Sequence, residues 1–528
     1  MGCIVGIDLG TTFSAVATLD EFGQPSIVHN AEGGNTTPSV IEFFSDGRVD
    51  VGEEARRNLG IRGLYAVGRF KKYMGGAVES PTEGSDGTWG TYQALKAIRE
   101  DLGKDLTPTD LSALVLKKLK QDAEEALQDE IVQAVVTVPA SFSHEAREAT
   151  MAAAKQVGLN IEHIINEPTA AALSYSFANT GARGIYAVYD LGGGTFDISI
   201  IRVDGTDIEV LSSNGVLNLG GDDFDGALQT LAMEKYADEF GGTPDPRAYT
   251  RNNAEKTKIT LSRRSRERAS ASFRGKEVEI RREEFEECIS SYLAQAEMLC
   301  QASLDDAELQ PKDIDSVILA GGSTRIPKVR ESVKKVFGRD PILSKNPDEV
   351  VALGASLYAA VRGDQSVLTT LQRDAIDEID IQERTSKCFG TLHLGVDELL
   401  GEMTDRNSVL IGRDTAIPCQ VTKTFYTVYD NQVGVNLSVT ESPRHMEDPN
   451  FVKTIWTGEL DLPEGRPSNQ PIEVTFGFDD SQMMHCSFKD VNSGETEKVD
   501  LRRGTGDSSG DGGDSSGDGI DIDEFLLE

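Results

Sequence analysis

Two glycine-rich turns restrict the fold of this chain more than any other feature of its sequence. The first lies in GIDLGTTFSAV (residues 6–16) and the second in YDLGGGTFDIS (residues 189–199). In each, an apolar run leads through an aspartate to a glycine–threonine corner, and a second apolar run follows. This pattern predicts a tight β-hairpin that carries one carboxylate and several exposed backbone N–H groups. Because the pattern occurs twice, the sequence predicts a duplicated phosphate-binding fold.

The two corners have the residue types that a polyphosphate requires. Backbone N–H groups there can reach phosphate oxygens, and glycine permits the approach because it has no Cβ. The positions predicted to offer these groups are Thr11, Thr12, Gly192, Gly193 and Gly194.

Three aspartates in or beside the hairpins suit a magnesium ion. Asp8, Asp190 and Asp197 carry hard oxygen atoms, which Mg²⁺ prefers and would bind through its waters. Turn formation is an equally common role for any single aspartate of this kind. Two matched hairpins favour the metal site over that alternative.

Composition excludes several classes of function. The 528 residues include 52 Lys and Arg and 88 Asp and Glu, so the formal net charge is −36. We therefore expect neither nucleic acid nor an anionic membrane as a partner. The chain begins with a strand-like segment and lacks the basic region of a signal peptide. Because its six cysteines form no CxxC pair, we expect reduced thiols and a cytoplasmic protein.

The hydrophobic pattern divides the chain into four parts. Residues 1–363 alternate strand-like and helix-like segments, which is typical of an α/β domain, and the order of segments repeats from about residue 184. Residues 364–388 are charged and predict a linker. Residues 389–503 show short alternating runs and predict an all-β sandwich. Residues 504–528 are an acidic Gly/Ser/Asp tail, predicted to be disordered.

Six longer motifs identify a family resemblance. They are AVVTVPASF (134–142), IINEPTAAALSY (164–175), LGGDDFD (219–225), AEKTKITLS (254–262), VILAGGSTRIPKV (317–329) and NPDEVVALGA (346–355). With the two hairpins, they closely resemble the DnaK-type chaperones of the heat shock protein 70 family. The resemblance implies a duplicated, two-lobed α/β actin-like ATPase domain followed by an all-β peptide-binding sandwich.

The resemblance also implies roles for individual residues. The positions that match the family's ion-binding and water-positioning residues are Asp8, Thr11, Lys71, Glu167, Asp190, Thr195 and Asp197. Lys71 lies in KKYMGG, whose flanking residues differ from the family motif, and a solvated surface lysine is the alternative. Pro139 and Arg147 match a proline switch and its arginine relay.

A second group of positions matches the family's nucleotide pocket. One wall corresponds to the AGGSTR segment, the other to the AEKTKITLS helix, and further glycines adjoin the phosphates. These positions are Gly10, Gly220, Gly221, Glu255, Lys258, Ser262, Gly321, Gly322, Ser323, Arg325 and Asp348.

The chain departs from the family pattern in three places. The hydrophobic linker of the family is replaced by the more charged AIDEIDI (residues 375–381), so we expect weak coupling between the domains. Only low-complexity residues follow the sandwich, so we expect no helical lid. The positions that align with the peptide groove are Val396, Leu399, Val428, Tyr429 and Val435, and the alternative is that they only pack the sandwich.

The resemblance implies an ATP-dependent molecular chaperone in which slow hydrolysis gates the binding of extended apolar peptides of unfolded proteins. It implies ATP or ADP with Mg²⁺ and K⁺, and a J-domain co-chaperone and a nucleotide exchange factor as partners. Two alternatives from other classes are a small-metabolite kinase of the actin-like superfamily and a non-enzymatic, actin-like scaffold.

The tail ends in IDIDEFLLE (residues 520–528), whose apolar residues interrupt a polar stretch. Two functional interpretations are open: a docking peptide for another protein, or an internal pseudosubstrate in the groove of the sandwich. A frayed end without function is a further alternative. Because the peptide and the protein are both acidic, we expect an external, basic partner.

Overall fold

The computed structural model describes residues 2–527 except residues 62, 77, 79–87, 180, 246–247, 264, 343–345, 397–402, 481, 500–521 and 523–524. The chain forms two compact units. The first contains Met1–Ile381 together with Ser516–Glu528, and the second contains Gln382–Ser515. The second unit is therefore an insertion in the sequence of the first.

The first unit contains both helices and strands. Its strands are β1 (Cys3–Asp8), β2 (Phe13–Leu19), β3 (Pro25–Val28), β4 (Thr37–Pro38), β5 (Val40–Phe43), β6 (Arg48–Val51), β7 (Tyr65–Gly68), β8 (Ile131–Val138), β9 (Ile164–Asn166), β10 (Arg183–Leu191), β11 (Thr195–Asp204), β12 (Asp207–Leu217), β13 (Arg268–Phe273), β14 (Lys276–Arg281), β15 (Ser316–Ala320) and β16 (Ile381–Gln382). Its helices are α1 (Glu53–Asn58), α2 (Thr88–Leu102), α3 (Pro108–Leu127), α4 (His144–Gln156), α5 (Glu167–Ala178), α6 (Gly221–Phe240), α7 (Arg251–Ser262), α8 (Arg282–Cys288), α9 (Ser290–Asp306), α10 (Pro327–Phe337), α11 (Val350–Arg362) and α12 (Thr370–Ile376).

Two main sheets repeat one arrangement, as the sequence predicts. In the first sheet, with strand order β3-β2-β1-β8-β9, β1 pairs antiparallel with β2 and parallel with β8. In the second, with order β15-β10-β11-β12-β16, β10 pairs antiparallel with β11 and parallel with β15. Both glycine-rich turns are therefore the corners of β-hairpins, and each hairpin is the start of one lobe.

Local signals in the sequence place several elements accurately. The β-branched run at residues 131–138 forms β8 and is buried almost throughout. The Ser143 side chain accepts a hydrogen bond from the N–H of Ala146 and so caps the start of α4. Helix α3 begins after Thr107, where Thr107 and Asp110 form a capping box.

Helices α5 and α11 fill the space between the two main sheets. Their small residues, such as Ala171 and Ala355, are fully buried in one hydrophobic cluster with residues of both sheets. Gly354 allows this packing, because a Cβ there would lie 1.7 Å from the carbonyl oxygen of Ala170. The lobes thus share a core through closely approaching helices.

The segment expected to be a charged linker packs on the first unit instead. Residues 370–376 form α12, and Ile376, Ile379 and Ile381 are buried in the cluster that contains α5 and α11. The backbone N–H of Ile208 donates to the Asp380 carbonyl at 2.9 Å. The first unit consequently extends to residue 381 rather than 363, because three isoleucines among the acidic residues supply an apolar face.

The second unit is a β-sandwich, as predicted. Its strands are β17 (Cys388–Val396), β18 (Met403–Ile411), β19 (Cys419–Tyr426), β20 (Gly434–Ser442), β21 (Lys453–Asp461), β22 (Pro471–Phe478), β23 (Met484–Asp490) and β24 (Thr496–Val499). They form two four-stranded antiparallel sheets with orders β18-β17-β20-β21 and β19-β22-β23-β24. Alternate residues of both sheets, among them Val439 and Phe476, form its core.

The sandwich also buries an ion pair. The side chain of Asp490, at the end of β23, is fully buried and forms two hydrogen bonds with Arg466, of which the one from Nη2 to Oδ1 is 3.0 Å long. Asp490 also accepts from the Asn492 N–H at 3.1 Å and from the Ser493 hydroxyl at 2.6 Å. Through these bonds, chiefly those from Arg466, the pKa of Asp490 is held well below its ordinary value.

The end of the tail does not follow the expectation of a free docking peptide. Ile522 and Phe525 are each 3% exposed and lie in the core of the first unit. Leu526–Leu527 form a strand, β25, which pairs parallel with β6 and extends the sheet to β25-β6-β5-β7. The residues predicted to be a disordered tether, up to residue 519, lie outside the described residues.

Candidate functional site

The corners of the two hairpins face each other at close range. A Cβ on Gly193 would lie 1.9 Å from the Thr12 hydroxyl oxygen, and one on Gly194 would lie 2.8 Å from Thr11 Cγ2. A Cβ on Gly10 would meet the Phe13 carbonyl at 1.9 Å. Glycine is therefore required at position 10, where the clash is with backbone, and Gly193 and Gly194 let the second corner approach the side chains of the first.

The start of α6 supports the second corner. The N–H of Gly221 donates to the Gly192 carbonyl at 3.0 Å, and the N–H of Asp222 donates to the Gly193 carbonyl at 2.7 Å. A Cβ on Gly220 would lie 2.5 Å from the carbonyl oxygen of Gly193. The LGGDDFD motif thus positions the glycine corner, and Gly220 is a packing residue of that corner.

Four carboxylates surround one lysine beside the hairpins. Lys71 is 3% exposed, and its Nζ lies 2.5 Å from Glu167 Oε1 at the first residue of α5. Asp190 and Asp197 are cross-strand partners on β10 and β11, and Asp8 ends β1. The alternative of a solvated surface lysine at position 71 is therefore wrong, because Lys71 is buried. Its buried charge is paired with that of Glu167, as a charge removed from water must be.

Burial and mutual repulsion raise the pKa values of these aspartates. Burial, followed by the nearby Glu167, raises the pKa of Asp8 to about 7 and that of Asp197 to about 7. The pKa of Asp190 is raised well above its ordinary value by burial and by Glu167, Asp197 and Asp8. The N–H of Ser141 donates to Asp197 at 3.0 Å and partly offsets this effect. One lysine does not neutralise the cluster.

This excess of buried negative charge fits a divalent cation. The oxygen atoms of Asp8, Asp190 and Asp197 are the hard ligands that Mg²⁺ takes, directly or through water. The Thr12 hydroxyl oxygen, at the junction of the hairpins, is buried without a hydrogen-bond partner, as expected of a group that faces a ligand. The residues present therefore suit a magnesium–polyphosphate group.

A cavity of about 600 Å³ continues from this cluster between the lobes. Its size suits a nucleotide, which needs several hundred cubic ångströms. The walls bring together most of the residues singled out from the sequence: Asp8, Gly10, Thr11, Thr12, Lys71, Glu167, Asp190, Gly192, Gly193, Thr195, Gly221, Glu255, Lys258, Ser262, Gly321, Gly322, Ser323, Arg325 and Asp348.

Polar contacts fix the far wall of the cavity. The Ser323 hydroxyl donates to the Gly192 carbonyl at 2.8 Å, and Arg325 forms a 2.6 Å ion pair with Asp348. Gly321 has a φ of +78°, and a Cβ on it would lie 2.4 Å from the Leu191 carbonyl. This wall therefore depends on glycine both for backbone conformation and for space.

Two ion pairs that none of the sequence motifs indicates join the lobes across the cavity mouth. Arg56 Nη2 lies 2.9 Å from Glu255, and Arg69 Nε lies 2.7 Å from the buried Asp222. The Arg56 guanidinium also lies over the Phe13 ring, 4.8 Å from its centroid. Asp222 belongs to the LGGDDFD motif and could have been selected, whereas neither arginine lies in one of the motifs.

Pro139 and Arg147 lie outside the cavity wall but close to its carboxylates. Pro139 directly follows β8, and the Arg147 Nη2 donates to the side chain of Asn166 at 2.7 Å. Asn166 immediately precedes Glu167 and is the N-cap residue of α5. A chain of contacts therefore leads from Arg147 to the partner of Lys71.

The residues predicted to line the sandwich groove differ in their exposure to solvent. Val428 and Tyr429, in the loop after β19, are 39% and 63% exposed. Val435 is partly buried against the sandwich core, which fits the alternative of a packing role. Val396 ends β17, and Leu399 lies outside the described residues.

Duplicated lobes, with a hairpin from each closing one cavity, define a two-lobed, actin-like ATPase. The family model described as Hsp70 protein matches residues 4–512, which is nearly the whole chain. The chain belongs to the Hsp70 family. This confirms the predicted fold class and the recognition of the family from its motifs.

Membership settles the general function. The protein is an ATPase and an ATP-dependent molecular chaperone that binds ATP or ADP with Mg²⁺, and its family binds unfolded peptides and co-chaperones in protein folding and the stress response. No helix among the described residues is long and apolar enough to cross a membrane.

Proposed function

We propose that slow hydrolysis of ATP in the first unit gates the binding of extended apolar peptides by the second. The observation that carries this proposal is the buried Lys71–Glu167 pair, 2.5 Å long, on the wall of the cavity. Phosphoryl transfer to water requires little more than a positioned water and neutralised phosphate oxygens. A lysine held by a carboxylate can provide both.

Each group of the cluster has a distinct proposed role. Lys71 contacts the γ-phosphate and the attacking water, and Glu167 orients Lys71 and accepts a hydrogen bond from that water. Asp8, Asp190 and Asp197 would hold Mg²⁺, which would neutralise phosphate charge. We assign Thr195 and neighbouring carboxylates to K⁺, because hydroxyl and carboxylate oxygens suit a second, weakly bound cation.

The wall formed by α7 and the 321–325 segment is proposed to hold the adenosine. Glu255, Lys258 and Ser262 lie on one side and Ser323 and Arg325 on the other. The aliphatic part of Arg325 would cover the base, and Asp348 would accept from the ribose. Gly10, Thr11, Thr12 and Gly192–Gly194 would receive the phosphates.

Replacement of Lys71 tests the hydrolytic role. Lys71→Ala should slow single-turnover hydrolysis at least about 100-fold, because charge stabilisation at the phosphate is lost. ATP should bind within a few-fold of the wild type, since the adenosine wall is intact. The neighbouring Lys72→Ala is the control and should hydrolyse ATP normally, because Lys72 lies over the Tyr73 ring and not on the cavity wall. Unchanged hydrolysis in Lys71→Ala would refute the role.

The buried isoleucines of residues 375–381 support a coupling role for this segment. Ile376, Ile379 and Ile381 lie in the core shared by α5 and α11, and α5 begins with Glu167. We therefore propose that peptide stimulates hydrolysis through this segment, in place of the weak coupling expected from its charge. The triple replacement by Asp should abolish stimulation, whereas Leu371→Asp, on the 57% exposed Leu371, should not.

Val428 and Tyr429 are proposed to contact bound peptide, because they are exposed apolar residues on one loop of the sandwich. A peptide strand would gain main-chain hydrogen bonds there, with side-chain pockets providing selectivity. We propose a J-domain co-chaperone and a nucleotide exchange factor as partners. A cytoplasmic location is proposed from the six cysteines, which are all free thiols.

A further inference from the structure

A groove at the edge of one sheet of the first unit holds the end of the tail. We call residues 520–528 the tail peptide, and we call the surface formed by Phe43, Val49, Lys104 and Lys117 the edge groove. Val49 belongs to β6, which would otherwise be an edge strand of the β6-β5-β7 part of its sheet. Such edges are ready templates for an added strand.

The tail peptide makes three kinds of contact in the groove. Its strand pairs with β6 in register, Leu526 opposite Arg48 and Leu527 opposite Val49. The Phe525 ring meets the Phe43 ring edge to face, with centroids 5.8 Å apart. Ile522 is as deeply buried as Phe525, whereas Leu526 is 65% exposed. Main-chain pairing thus supplies affinity, and two buried side chains supply selectivity.

Two lysines add a polar complement. Lys117 Nζ donates to the carbonyl oxygens of Ile522 and Phe525, at 3.0 and 3.4 Å. Lys104 Nζ lies 4.6 Å from the centroid of the Phe525 ring, where a cation is attracted by the π-face. The tail peptide itself carries four acidic residues and no basic one. The groove therefore matches the peptide in charge as well as in apolar shape.

We infer that the edge groove is a specific binding site for the tail peptide, separate from the peptide-binding sandwich, and that the chain occupies it in cis. The basic, external partner expected from the sequence alone is not required, because the basic groups that the peptide prefers are in the chain itself. A segment joined to its site has an effective concentration of the order of millimolar. Even a micromolar intrinsic affinity would keep the groove filled.

Occupancy of the groove connects to the nucleotide cavity. Strand β6 runs through Gly52 directly into α1, and α1 carries Arg56, whose guanidinium bridges to Glu255 on the cavity wall. Pairing with the tail peptide restricts the motion of β6 and therefore of α1, which carries Arg56. Loss of the peptide should therefore allow the cavity to open more often and should speed release of ADP two- to five-fold.

The test uses the full chain with a single change in the tail peptide. Phe525→Asp should free the groove, because a carboxylate cannot occupy the apolar position beside Phe43. Leu526→Asp is the matched control, since its side chain is exposed. The probe is a fluorescein-labelled synthetic peptide of sequence IDIDEFLLE, and its binding is followed by anisotropy. We expect the probe to bind Phe525→Asp at least ten-fold more tightly than the wild type or Leu526→Asp.

Three controls make the result decisive. Lys117→Glu, added to Phe525→Asp, should abolish binding of the probe, and so should an Asp at the Phe position of the probe. Hydrogen exchange of the β6 amides should rise in Phe525→Asp and fall again when unlabelled peptide is added. The same addition should restore slow ADP release.

Several outcomes would overturn the inference. Equal binding of the probe to wild type and Phe525→Asp would show that the groove is not occupied in cis. Binding that survives Lys117→Glu would place the peptide elsewhere, for instance on the sandwich. A dimer that disappears with Phe525→Asp would assign the groove to the tail of a second copy. ADP release unaffected by Phe525→Asp would disprove the connection to the cavity.

Discussion

The nucleotide cavity and the β-sandwich both bury aspartates, but their surroundings shift the pKa values in opposite directions. In the cavity, burial and the proximity of Glu167 raise the pKa of Asp190. In the sandwich, hydrogen bonds from Arg466 lower the pKa of Asp490. The first cluster is incomplete without a cation, whereas the second is complete within the protein. The buried charge of the cavity thus serves to bind a ligand, whereas the buried charge of the sandwich serves to stabilise the fold.

The largest expected effect is the loss of the sandwich pair. Asp490→Asn should destabilise the second unit by about 3–5 kcal/mol, because it leaves the Arg466 charge without its partner. Urea unfolding can be followed at Trp456, which stacks on Phe488 at 5.9 Å, in a Trp89→Phe background that removes the chain's other tryptophan. The double variant Arg466→Met/Asp490→Leu should recover much of the stability. A loss of stability below about 1 kcal/mol in Asp490→Asn would show that the Asp490–Arg466 pair does not hold the fold of the sandwich.

Acid should remove the same contribution gradually. A carboxyl with a lowered pKa in the folded state stabilises the fold at pH values above its unfolded pKa of about 3.9, and the contribution is lost as pH falls through the folded pKa. The stability difference between wild type and Asp490→Asn should therefore be constant from pH 7 to about pH 5 and should shrink below about pH 4. The Trp456 signal measures it. A difference that persists unchanged to pH 2 would contradict the assignment.

The cavity should respond to its ligand instead. Mg²⁺ and ADP at about 100 times the dissociation constant should stabilise the first unit by about 2.7 kcal/mol. Removal of Mg²⁺ with EDTA should lose part of this gain, and Asp8→Asn should make ADP binding insensitive to Mg²⁺. Circular dichroism follows the first unit, and Trp456 fluorescence serves as the control. A gain in stability of equal size with and without Mg²⁺ would show that the carboxylates do not bind the ion.

The smallest expected effect is the change in stability caused by Asp190→Asn, and its sign is opposite to that of Asp490→Asn. Without nucleotide or metal, Asp190→Asn should change the stability of the first unit by no more than about 1 kcal/mol, and towards greater stability, because it removes one of several repelling buried carboxylates. The same variant should lose hydrolysis. Thermal unfolding in EDTA checks the first statement and single-turnover hydrolysis the second. A marked destabilisation would mean that Asp190 is a structural residue like Asp490.

The fold of the first unit could be predicted wherever the signal is local. The hairpin corners combine β-branched strands with glycine, and β8 is a buried run bounded by Pro139, so neighbouring residues suffice to identify them. The cavity residues followed from motifs for the same reason. The buried position of Lys71 did not, because it depends on Glu167, which is distant in the sequence.

Two segments were assigned wrongly by composition for one physical reason. Residues 375–381 contain three acidic and four apolar residues, and residues 520–528 contain four acidic and five apolar residues, so neither segment has an uninterrupted apolar run long enough to indicate a core element. Ile379 and Phe525 are nevertheless buried. Their burial depends on surfaces formed elsewhere in the chain, the α5–α11 core for Ile379 and the edge groove for Phe525. Tertiary contacts of this kind are not visible in a local pattern.

The pairing of β25 with β6 has a consequence for biosynthesis. Roughly 480 residues separate the two strands in the sequence, and at about 5–20 residues per second a ribosome needs on the order of a minute to make them. During that time β6 is exposed to any strand that passes, including β6 of a neighbouring nascent chain on the same messenger RNA. Slower translation of the residues before 520 would lengthen the time for which β6 is exposed. The codons used for those residues would therefore influence the yield of protein in which β25 pairs with β6.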